Sequence, residues 1–319
     1  MKLKKLSVAV MALTALSGTQ AIAAEGDNGF DVDLGFRTFY MNRDFDQGIP
    51  DTLAAGQAFR LDVQSPMWND TIGFGLGAVH VAELIDEKTI NSSDVLKPGG
   101  EGYTSLEQAY IKFKPLENLE IKAGRMVMMT PLLNDLTSRI SAPSTQGVHA
   151  NLSLENGSLY AIYSDEASMN NEEGFDPYTN ANGDEFDLVS IGGTYKFGNG
   201  LSTHVQHAVA DDYQKQTYFN LGYSTKWGED DLMLDLTHMN GEDDGALYGS
   251  DYDSHLTGLT ARLTKGNLAY TLAYQTVGGN NAYDQKWGGD DNTQFFTWGA
   301  VQLLDFNAKD EQSLQARID

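Results

Sequence analysis

The sequence predicts an all-β fold, an antiparallel barrel of strands that crosses a membrane. Three observations predict it: an export signal, about fifteen segments in which apolar and other residues alternate, and connections that are alternately short and long. Alternation with a period of two is typical of strands, because successive side chains point to opposite faces. Short turns at one end and long polar loops at the other are typical of transmembrane barrels.

Residues 1–24 have the features of a secretory signal peptide. Lysines at positions 2, 4 and 5 precede an apolar stretch from Leu6 to Leu16, and Ala21-Ile22-Ala23 supplies the small residues of a cleavage site. The apolar stretch is shorter than the about 20 residues that a membrane-spanning helix needs. We therefore expect a signal peptide at 1–24 and a barrel domain at 25–319.

Composition narrows the function classes. Removing residues 1–24 takes away three lysines and no acidic residue, which changes the formal net charge from −24 to −27. Nucleic-acid binding rewards clustered Lys and Arg, so we expect no nucleic-acid partner. The chain has no cysteine, which removes disulfides and thiolate chemistry.

The predicted strands are read from the alternation alone. In each segment the residues between the apolar ones lie on the opposite face, as Arg60 and Asp62 do beside Phe59 and Leu61. The segments lie near 32–37, 59–63, 72–77, 108–113, 117–125, 147–155, 158–164, 186–197, 200–210, 216–227, 231–239, 255–264, 267–277 and 293–303, and a last one begins at Ser313.

The connections between these segments differ strongly in length. Residues such as Asn and Gly make tight turns at 115–118, 155–157, 198–200, 227–230 and 264–267. Long connections, most of them rich in Asp, Asn and Gly, cover 84–103, 126–146, 165–185, 240–254 and 278–292. A soluble sandwich would have no reason to separate its loops in this way.

The loop at 126–146 is the candidate functional element. It contains Pro131 and Pro143 and a run of methionines, and proline cannot donate to a β-ladder. Loops of this length inside a compact domain are usually functional or disordered. We expect the loop to fold inward and narrow a pore, with the inward glycines Gly73, Gly75 and Gly77 making room for it.

Aromatic residues cluster at the ends of predicted strands. A barrel would use them as girdles at the two membrane interfaces, whereas a sandwich would place them in its core. The residues are Phe39, Tyr40, Tyr195, Phe197, Trp227, Phe295, Phe296 and Trp298.

Arginines are the candidate solute-guiding residues. Arg37, Arg60 and Arg262 lie on the strand face opposite the apolar one and would point into the lumen. There they would guide carboxylates or other anions, or else neutralise inward acidic residues. Arg139 lies within the central loop and would contribute to a constriction. Arg125 shares a face with apolar residues and would point to lipid unless the strand end redirects it.

Catalytic and metal-binding patterns are missing from the sequence. His204 and His207 are three residues apart on a strand, so they face opposite ways and cannot chelate one metal. No nucleophile, base and orienting group come together in the sequence. We expect no enzyme activity, no metal and no cofactor.

The sequence resembles the OprD family of Gram-negative outer-membrane porins, including its chitoporin-like members. The likeness covers most of the chain after the signal. The resemblance rests on the stretches 58–62, 72–75 and 121–125, on Pro131, Arg139, Pro143 and Gly147, and on the stretches 273–275, 294–298, 304–307 and 311–313.

The resemblance implies an eighteen-stranded barrel, a monomer or loose trimer, surrounded by outer-membrane lipid and lipopolysaccharide. It implies passive diffusion of small polar nutrients past an infolded loop and a ladder of arginines. Arg60 and Arg139 match that ladder best, with Arg37, Arg125 and Arg262 as further members. The solute stays open between carboxylates or amino acids and chitin-derived oligosaccharides.

The sequence departs from the family at its C-terminus. It stops mid-strand at 316–319, about three strands short, so we expect either a fragment or a smaller barrel. The alternative function is an adhesin or structural anchor with a plugged lumen. A hydrolase carried on a barrel is a third and weaker alternative.

Overall fold

The computed structural model describes residues 24–25, 29–43, 52–86, 94–136, 139–288, 293, 297–299 and 305–319. The regular elements of these residues are all β-strands. They are β1 (Ala24–Glu25), β2 (Asp31–Arg43), β3 (Thr52–Gln64), β4 (Ile72–Asp86), β5 (Tyr103–Leu116), β6 (Leu119–Met126), β7 (Met129–Thr130), β8 (Leu133–Asn134), β9 (Ser144–Leu154), β10 (Gly157–Ser168), β11 (Asp176–Thr179), β12 (Glu185–Phe186), β13 (Leu188–Lys196), β14 (Leu201–Ala210), β15 (Gln214–Trp227), β16 (Asp230–Asp243), β17 (Asp253–Lys265), β18 (Leu268–Gly279) and β19 (Gln312–Ile318). Within the described ranges, no helix is long and apolar enough to cross a membrane.

Fourteen of these strands have seven residues or more and form one continuous antiparallel meander. Each pairs with the next in the order β2, β3, β4, β5, β6, β9, β10, β13, β14, β15, β16, β17, β18, β19. The pair β7 and β8 forms a separate two-stranded hairpin. The meander is the wall of an antiparallel transmembrane β-barrel, as predicted.

Strands coincide with the predicted segments except at 293–303. That segment falls mainly on residues outside the described part, and its described residues, 293 and 297–299, are not in strands. The edge of β18 is taken instead by β19, with Tyr274 opposite Leu314. Alternation indicates that a segment can form a strand, but it does not indicate which neighbour is available to pair with it.

The connections that the structure describes follow the predicted division, with one exception. One end of the barrel has short turns, at 65–71, 117–118, 155–156, 197–200, 228–229 and 266–267. The other end carries the long connections, together with the connection that ends at Gly102. Their described residues are 127–136, 139–143, 169–187, 244–252, 280–288, 293, 297–299 and 305–311. The exception is 211–213, a three-residue turn between β14 and β15 at the long-loop end.

Side-chain exposure separates the two faces of the wall. On β17, Leu259 is 52 % exposed on the outer face, whereas Leu256 is fully buried on the inner face. Of the predicted girdle residues, Tyr40, Tyr195, Phe197 and Trp227 are exposed at strand ends.

Two predicted girdle residues lie elsewhere. Phe39 is buried on the inner face, because it precedes the outward Tyr40 and consecutive strand residues point to opposite faces. Trp298 lies over the guanidinium of the inward Arg262, 5.8 Å from its ring centroid to Cζ. Phe295 and Phe296 fall outside the described residues.

Candidate functional site: an infolded loop and a charged wall

The described residues between β6 and β9, at 127–136 and 139–143, leave the wall and enter the barrel. Met128, Leu132 and Leu133 are buried in a cluster with inward side chains such as Tyr160 on β10 and Met239 on β16. The β7–β8 hairpin places Pro131 and Leu132 at its tip. The loop therefore contacts the inner wall far from its own strands.

Four hydrogen bonds hold the tip of this loop. On β14, the Gln206 side chain accepts from the Leu132 N–H at 2.9 Å and donates to Thr130 Oγ1 at 3.1 Å. From the 280–288 connection, Trp287 Nε1 donates to the Leu132 carbonyl at 2.7 Å and Gln285 Nε2 donates to the Pro131 carbonyl at 2.9 Å. Buried backbone groups need such partners. The tip is thus fixed from two directions.

The base of the loop is tied to its own hairpin by Asp135. The Asp135 N–H donates to the Met128 carbonyl at 2.8 Å, and its carboxylate accepts from the Met128 N–H at 2.6 Å. The same carboxylate accepts from Thr145 Oγ1 on β9 at 3.1 Å. A buried carboxylate with these donors makes the base of the loop rigid.

The second half of the loop packs on the opposite wall, formed by β2–β5. Ile140 lies so close to Gly56 on β3 that a Cβ there would be 2.9 Å from its Cδ1. Ser141 Oγ is 2.6 Å from the Tyr103 hydroxyl on β5, and the Ala142 N–H donates to Glu107 Oε1 at 3.2 Å. The loop therefore spans the lumen from one wall to the other.

The expected role of the inward glycines on β4 is wrong. A Cβ at Gly75 would be 2.5 Å from the Tyr110 ring, and one at Gly77 would be 2.5 Å from Asp62 Oδ1. These glycines make room for side chains of the neighbouring strands. The glycine that makes room for the infolded loop is Gly56, on β3.

Arg37 and Arg60 are neighbours on the inner face of β2 and β3. Arg37 pairs in register with Ala58, and Arg60 pairs with Gly35, so the two arginines are diagonal neighbours. Arg60 Nη2 lies 2.8 Å and 2.7 Å from the two carboxylate oxygens of Glu107. Arg37 stacks over Phe39 at 5.6 Å, and among the described residues no carboxylate lies within ion-pair distance of it.

The other three predicted arginines lie apart from this pair. In the infolded loop, Arg139 Nε is 3.7 Å from Asp94 Oδ2. On the inner face of β17, Arg262 Nη2 is 3.7 Å from Asp319 Oδ2. Arg125 pairs in register with Ala109, which places it on the outer face.

Arg125 has contacts of its own on the outer face. Its Nε donates to Gln146 Oε1 at 3.2 Å, and its Cζ is 4.2 Å from the Phe175 ring centroid. The strand end thus places this guanidinium under the 169–187 connection rather than beside Arg37 and Arg60.

Two lysines extend the charged wall and were missed by the sequence reasoning. Lys112 on β5 and Lys122 on β6 are directly opposite each other in register. Lys112 Nζ donates to Gln64 Oε1 at 3.0 Å, and Lys122 Nζ lies 5.3 Å from the Tyr110 ring centroid. Alternation already placed Lys112 on the polar face, so the signal was present in the sequence.

The wall formed by β10–β16 is mainly neutral. The Tyr160 hydroxyl is 2.8 Å from His204 Nε2, and Asn220 Nδ2 donates to Asp235 Oδ2 at 2.8 Å. His204 and His207 face opposite ways, as predicted, and the structure places His204 on the inner face and His207 on the outer face. Within the described residues no three His, Cys, Asp or Glu side chains are grouped to hold a metal.

The 280–288 connection covers this neutral wall from the long-loop end. Tyr283 is fully buried, and its hydroxyl donates to Gln216 Oε1 at 3.2 Å. Burial raises the pKa of the Tyr283 hydroxyl well above its ordinary value, and the charge of Asp284 and the neighbouring Tyr252 raise it further. The hydroxyl therefore stays protonated and available as a donor.

Known proteins resemble this chain over most of its length. A family model described as "outer membrane porin, OprD family" matches residues 27–319. Porin D of Pseudomonas aeruginosa is 26 % identical over 348 aligned positions, which cover 100 % of this chain and 78 % of the relative.

Solved structures share the fold. OccK9 (OpdG) of Pseudomonas aeruginosa superposes with a TM-score of 0.81 at 21 % identity, covering 91 % of this chain and 77 % of that one. OpdK of the same organism, crystallised with vanillate, gives 0.75 at 23 % identity, covering 91 % and 76 %. The family match spans far more than half of the chain. The chain therefore belongs to the OprD family of outer-membrane porins, which are channels of the Gram-negative outer membrane.

Proposed function

We propose that this porin admits small anionic solutes, carboxylates foremost, along a lumen wall that carries Arg37 and Arg60. The loop at 126–146 supplies the facing side and narrows the passage. The observation that carries the proposal is the position of Arg37, an inward guanidinium beside a second one and without a carboxylate partner among the described residues. Guanidinium groups bind carboxylates through charge and paired N–H donors.

The five predicted arginines differ in how far neighbouring acidic side chains neutralise their charge. Arg60, Arg139 and Arg262 each face an acidic side chain, which reduces the charge that a passing solute meets. Arg37 keeps its charge, so it contributes most to attraction of an anion. Arg125 is turned toward Phe175 and contributes least.

Carboxylates or amino acids fit this lumen better than chitin-derived oligosaccharides. Sugar rings are held by contact with exposed aromatic faces, since an aromatic side chain presents a broad apolar surface. The inward rings of Tyr160 and Tyr218 are buried in the cluster that contains the infolded loop. Their faces are therefore covered, whereas the cationic groups of the β2–β6 wall remain partly exposed.

Single-channel recording in a planar bilayer tests the proposal. Vanillate, the aromatic carboxylate crystallised with OpdK, is a suitable probe. We expect discrete conductance steps that added vanillate interrupts, with an interruption frequency several-fold lower in Arg37→Gln. Arg125→Gln is the matched control and should behave as wild type. Equal interruption in Arg37→Gln and wild type would contradict the proposal.

The second candidate function is a barrel that anchors its loops and passes no solute. The observation in its favour is the packing inside the lumen, where Trp287, Tyr283 and the tip of the infolded loop are fully buried together. Heat-modifiable gel mobility shows first whether the barrel is folded. A folded barrel without conductance steps would support the anchor and exclude the porin proposal.

A further inference from the structure

Part of the outer wall carries a polar belt near its long-loop end. We use "polar belt" for six outward residues on β14–β17, namely His207, Thr217, His238, Asn240, His255 and Thr257. Their direction follows from their strand neighbours. His238 lies between the buried Thr237 and Met239, and His255 lies between residues 254 and 256, both fully buried on the inner face.

Strand register joins these residues into a continuous patch. His207 is opposite Thr217, Thr217 is opposite Asn240, and Asn240 is opposite His255. His238 is opposite Thr257, two residues nearer the short turns. Side chains directly opposite each other in antiparallel strands are in contact range, so the six groups form one surface.

Hydrogen bonds fix the orientation of two imidazoles in the belt. His207 Nδ1 is 2.9 Å from Thr217 Oγ1, and His238 Nδ1 is 2.9 Å from Thr257 Oγ1. The ring centroids of His238 and His255 are 6.0 Å apart. When each threonine hydroxyl donates to Nδ1, Nε2 of His207 and of His238 carries the N–H and can donate to another partner.

An apolar groove begins directly below the belt on the same strands. Its volume is about 470 Å³, and leucines such as Leu221, Leu236 and Leu259 line it around Ala261. Leu259 follows Thr257 by two residues, a step of about 6.7 Å along a strand. On the other side of the belt, toward the long loops, the outward residues Lys215 and Glu242 are charged and paired in register.

Polarity therefore changes in three steps along one face, from leucine to neutral hydrogen-bonding groups to charged groups. This order matches an amphiphile, with a hydrocarbon chain, a polar headgroup and water at successive depths. The long loops of such barrels lie on the outside of the cell. The belt thus lies at the headgroup level of the outer leaflet.

We propose that this face binds one phosphorylated membrane lipid. An acyl chain lies in the groove around Ala261, and the headgroup phosphate accepts hydrogen bonds from the imidazole Nε2–H groups and the Asn240 side-chain amide of the belt. The groove selects a lipid over free phosphate, because phosphate alone cannot occupy apolar surface. The site is on the opposite face of the wall from the arginines, so it is independent of solute passage.

Native mass spectrometry of the detergent-purified full chain with added lipid A tests the site. We expect wild type to retain one lipid, and His238→Val/His255→Val to bind about tenfold more weakly, because hydrogen bonds to a charged phosphate are lost. Ala261→Leu, which fills the groove, should weaken binding to a similar extent.

His80→Val is the matched control. His80 makes the same contact, with Nδ1 2.8 Å from Thr104 Oγ1, but on β4 and β5. Its binding should equal that of wild type. Equal binding by wild type and His238→Val/His255→Val would overturn the proposal, as would an equal loss in His80→Val. Inorganic phosphate that competes fully with lipid A would also overturn it, since the groove would then be unused.

A second measurement tests the site without the histidine variants, in case those variants fail to fold. The chain has no cysteine, so Thr217→Cys carries a single fluorescent label at the belt. Lipid A with a spin label on its headgroup should quench this label more strongly than it quenches the same label at Thr104→Cys. Equal quenching at the two sites would contradict the proposal, and self-quenching without lipid would instead indicate a second copy on this face.

Discussion

The two sides of the lumen differ in what their inner faces carry. The β2–β6 side has Arg37, Arg60, Lys112 and Lys122 together with acidic partners such as Glu107. The β10–β16 side has mainly amides, hydroxyls and apolar groups, and the tip of the infolded loop and the 280–288 connection are packed against it.

The difference shows how an acidic chain can favour anions. The formal net charge is −24, but acidic residues are frequent in the loops, where water screens them. The inward cations lie in the lumen, where a low dielectric strengthens their interaction with a solute. The loop tip packs on the neutral side, and the second half of the loop contacts the charged side at Gly56, Tyr103 and Glu107. Arg37 and Arg60 remain partly exposed on that side, so they are the charged groups that a solute meets.

Removing the packing on the neutral side should have the largest effect. Trp287→Ala deletes a fully buried ring and its hydrogen bond to the Leu132 carbonyl. Loss of a buried aromatic costs about 3–5 kcal/mol, so the loop tip should detach and single-channel conductance should rise with increased noise. Trp227→Ala, at a ring that is 68 % exposed on the outer wall, is the control. Unchanged current in Trp287→Ala would show that the contact between Trp287 and Leu132 does not hold the loop.

Neutralising the acid on the charged side should have the next largest effect. Glu107→Gln frees Arg60 and weakens the bond to the Ala142 N–H. Breaking a buried pair costs about 3–5 kcal/mol, and the cost is lower here because Arg60 is 32 % exposed. We expect a lower thermal midpoint in the heat-modifiability assay and higher anion selectivity. Glu120→Gln, at a partly exposed pair, should change both less. A drop in anion selectivity in Glu107→Gln would contradict this account.

Gln206→Leu should have a smaller effect on the neutral side. It leaves the Leu132 N–H without its partner, at a cost of about 1–3 kcal/mol for a buried donor. Trp287 and Gln285 still hold the tip, so we expect more frequent brief openings with an unchanged main conductance. Single-channel dwell times measure this, with the outward Val205→Leu as control. A main conductance as high as that of Trp287→Ala would show that Gln206 alone holds the tip.

Alkaline pH should loosen the neutral side only above the ordinary tyrosine range. The pKa values of Tyr248, Tyr252 and Tyr283 are raised, mainly by burial. A raised pKa in the folded state means that these hydroxyls stabilise the fold below about pH 10 and lose that contribution as the pH rises further. These hydroxyls should leave the thermal midpoint of unfolding unchanged up to about pH 9, and the midpoint should fall above about pH 10. Tyr283→Phe should fall less steeply, and an equal slope would contradict the assignment.

The sequence was sufficient to predict the strands and the faces of most of their residues. Lipid on one side and a polar lumen on the other impose the alternation, and the same parity placed Arg37, Arg60 and Arg262 inside. The alternation also identified Arg125 as the arginine that does not share the inner face. The prediction was wrong at Phe39, which belongs to the inner face although it adjoins an outward tyrosine.

Partners distant in the chain could not be predicted. Arg60 and Glu107 are 47 residues apart, and a register shift in the β4–β5 pairing, between Gly77 and Val79, accompanies the inward turn of Glu107. Trp287 and Leu132 are 155 residues apart. Such contacts depend on the register and on loop paths that a local pattern does not contain. The same reason explains why Gly56, rather than the β4 glycines, accommodates the loop.

The most direct test of the charged wall is the reversal potential of the open channel in a tenfold KCl gradient. The account predicts anion selectivity for wild type, a large loss of it in Arg37→Gln, a smaller loss in Arg60→Gln and no change in Arg125→Gln. Cation selectivity in wild type, or equal reversal potentials for Arg37→Gln and Arg125→Gln, would contradict the claim that Arg37 and its neighbours select the solute.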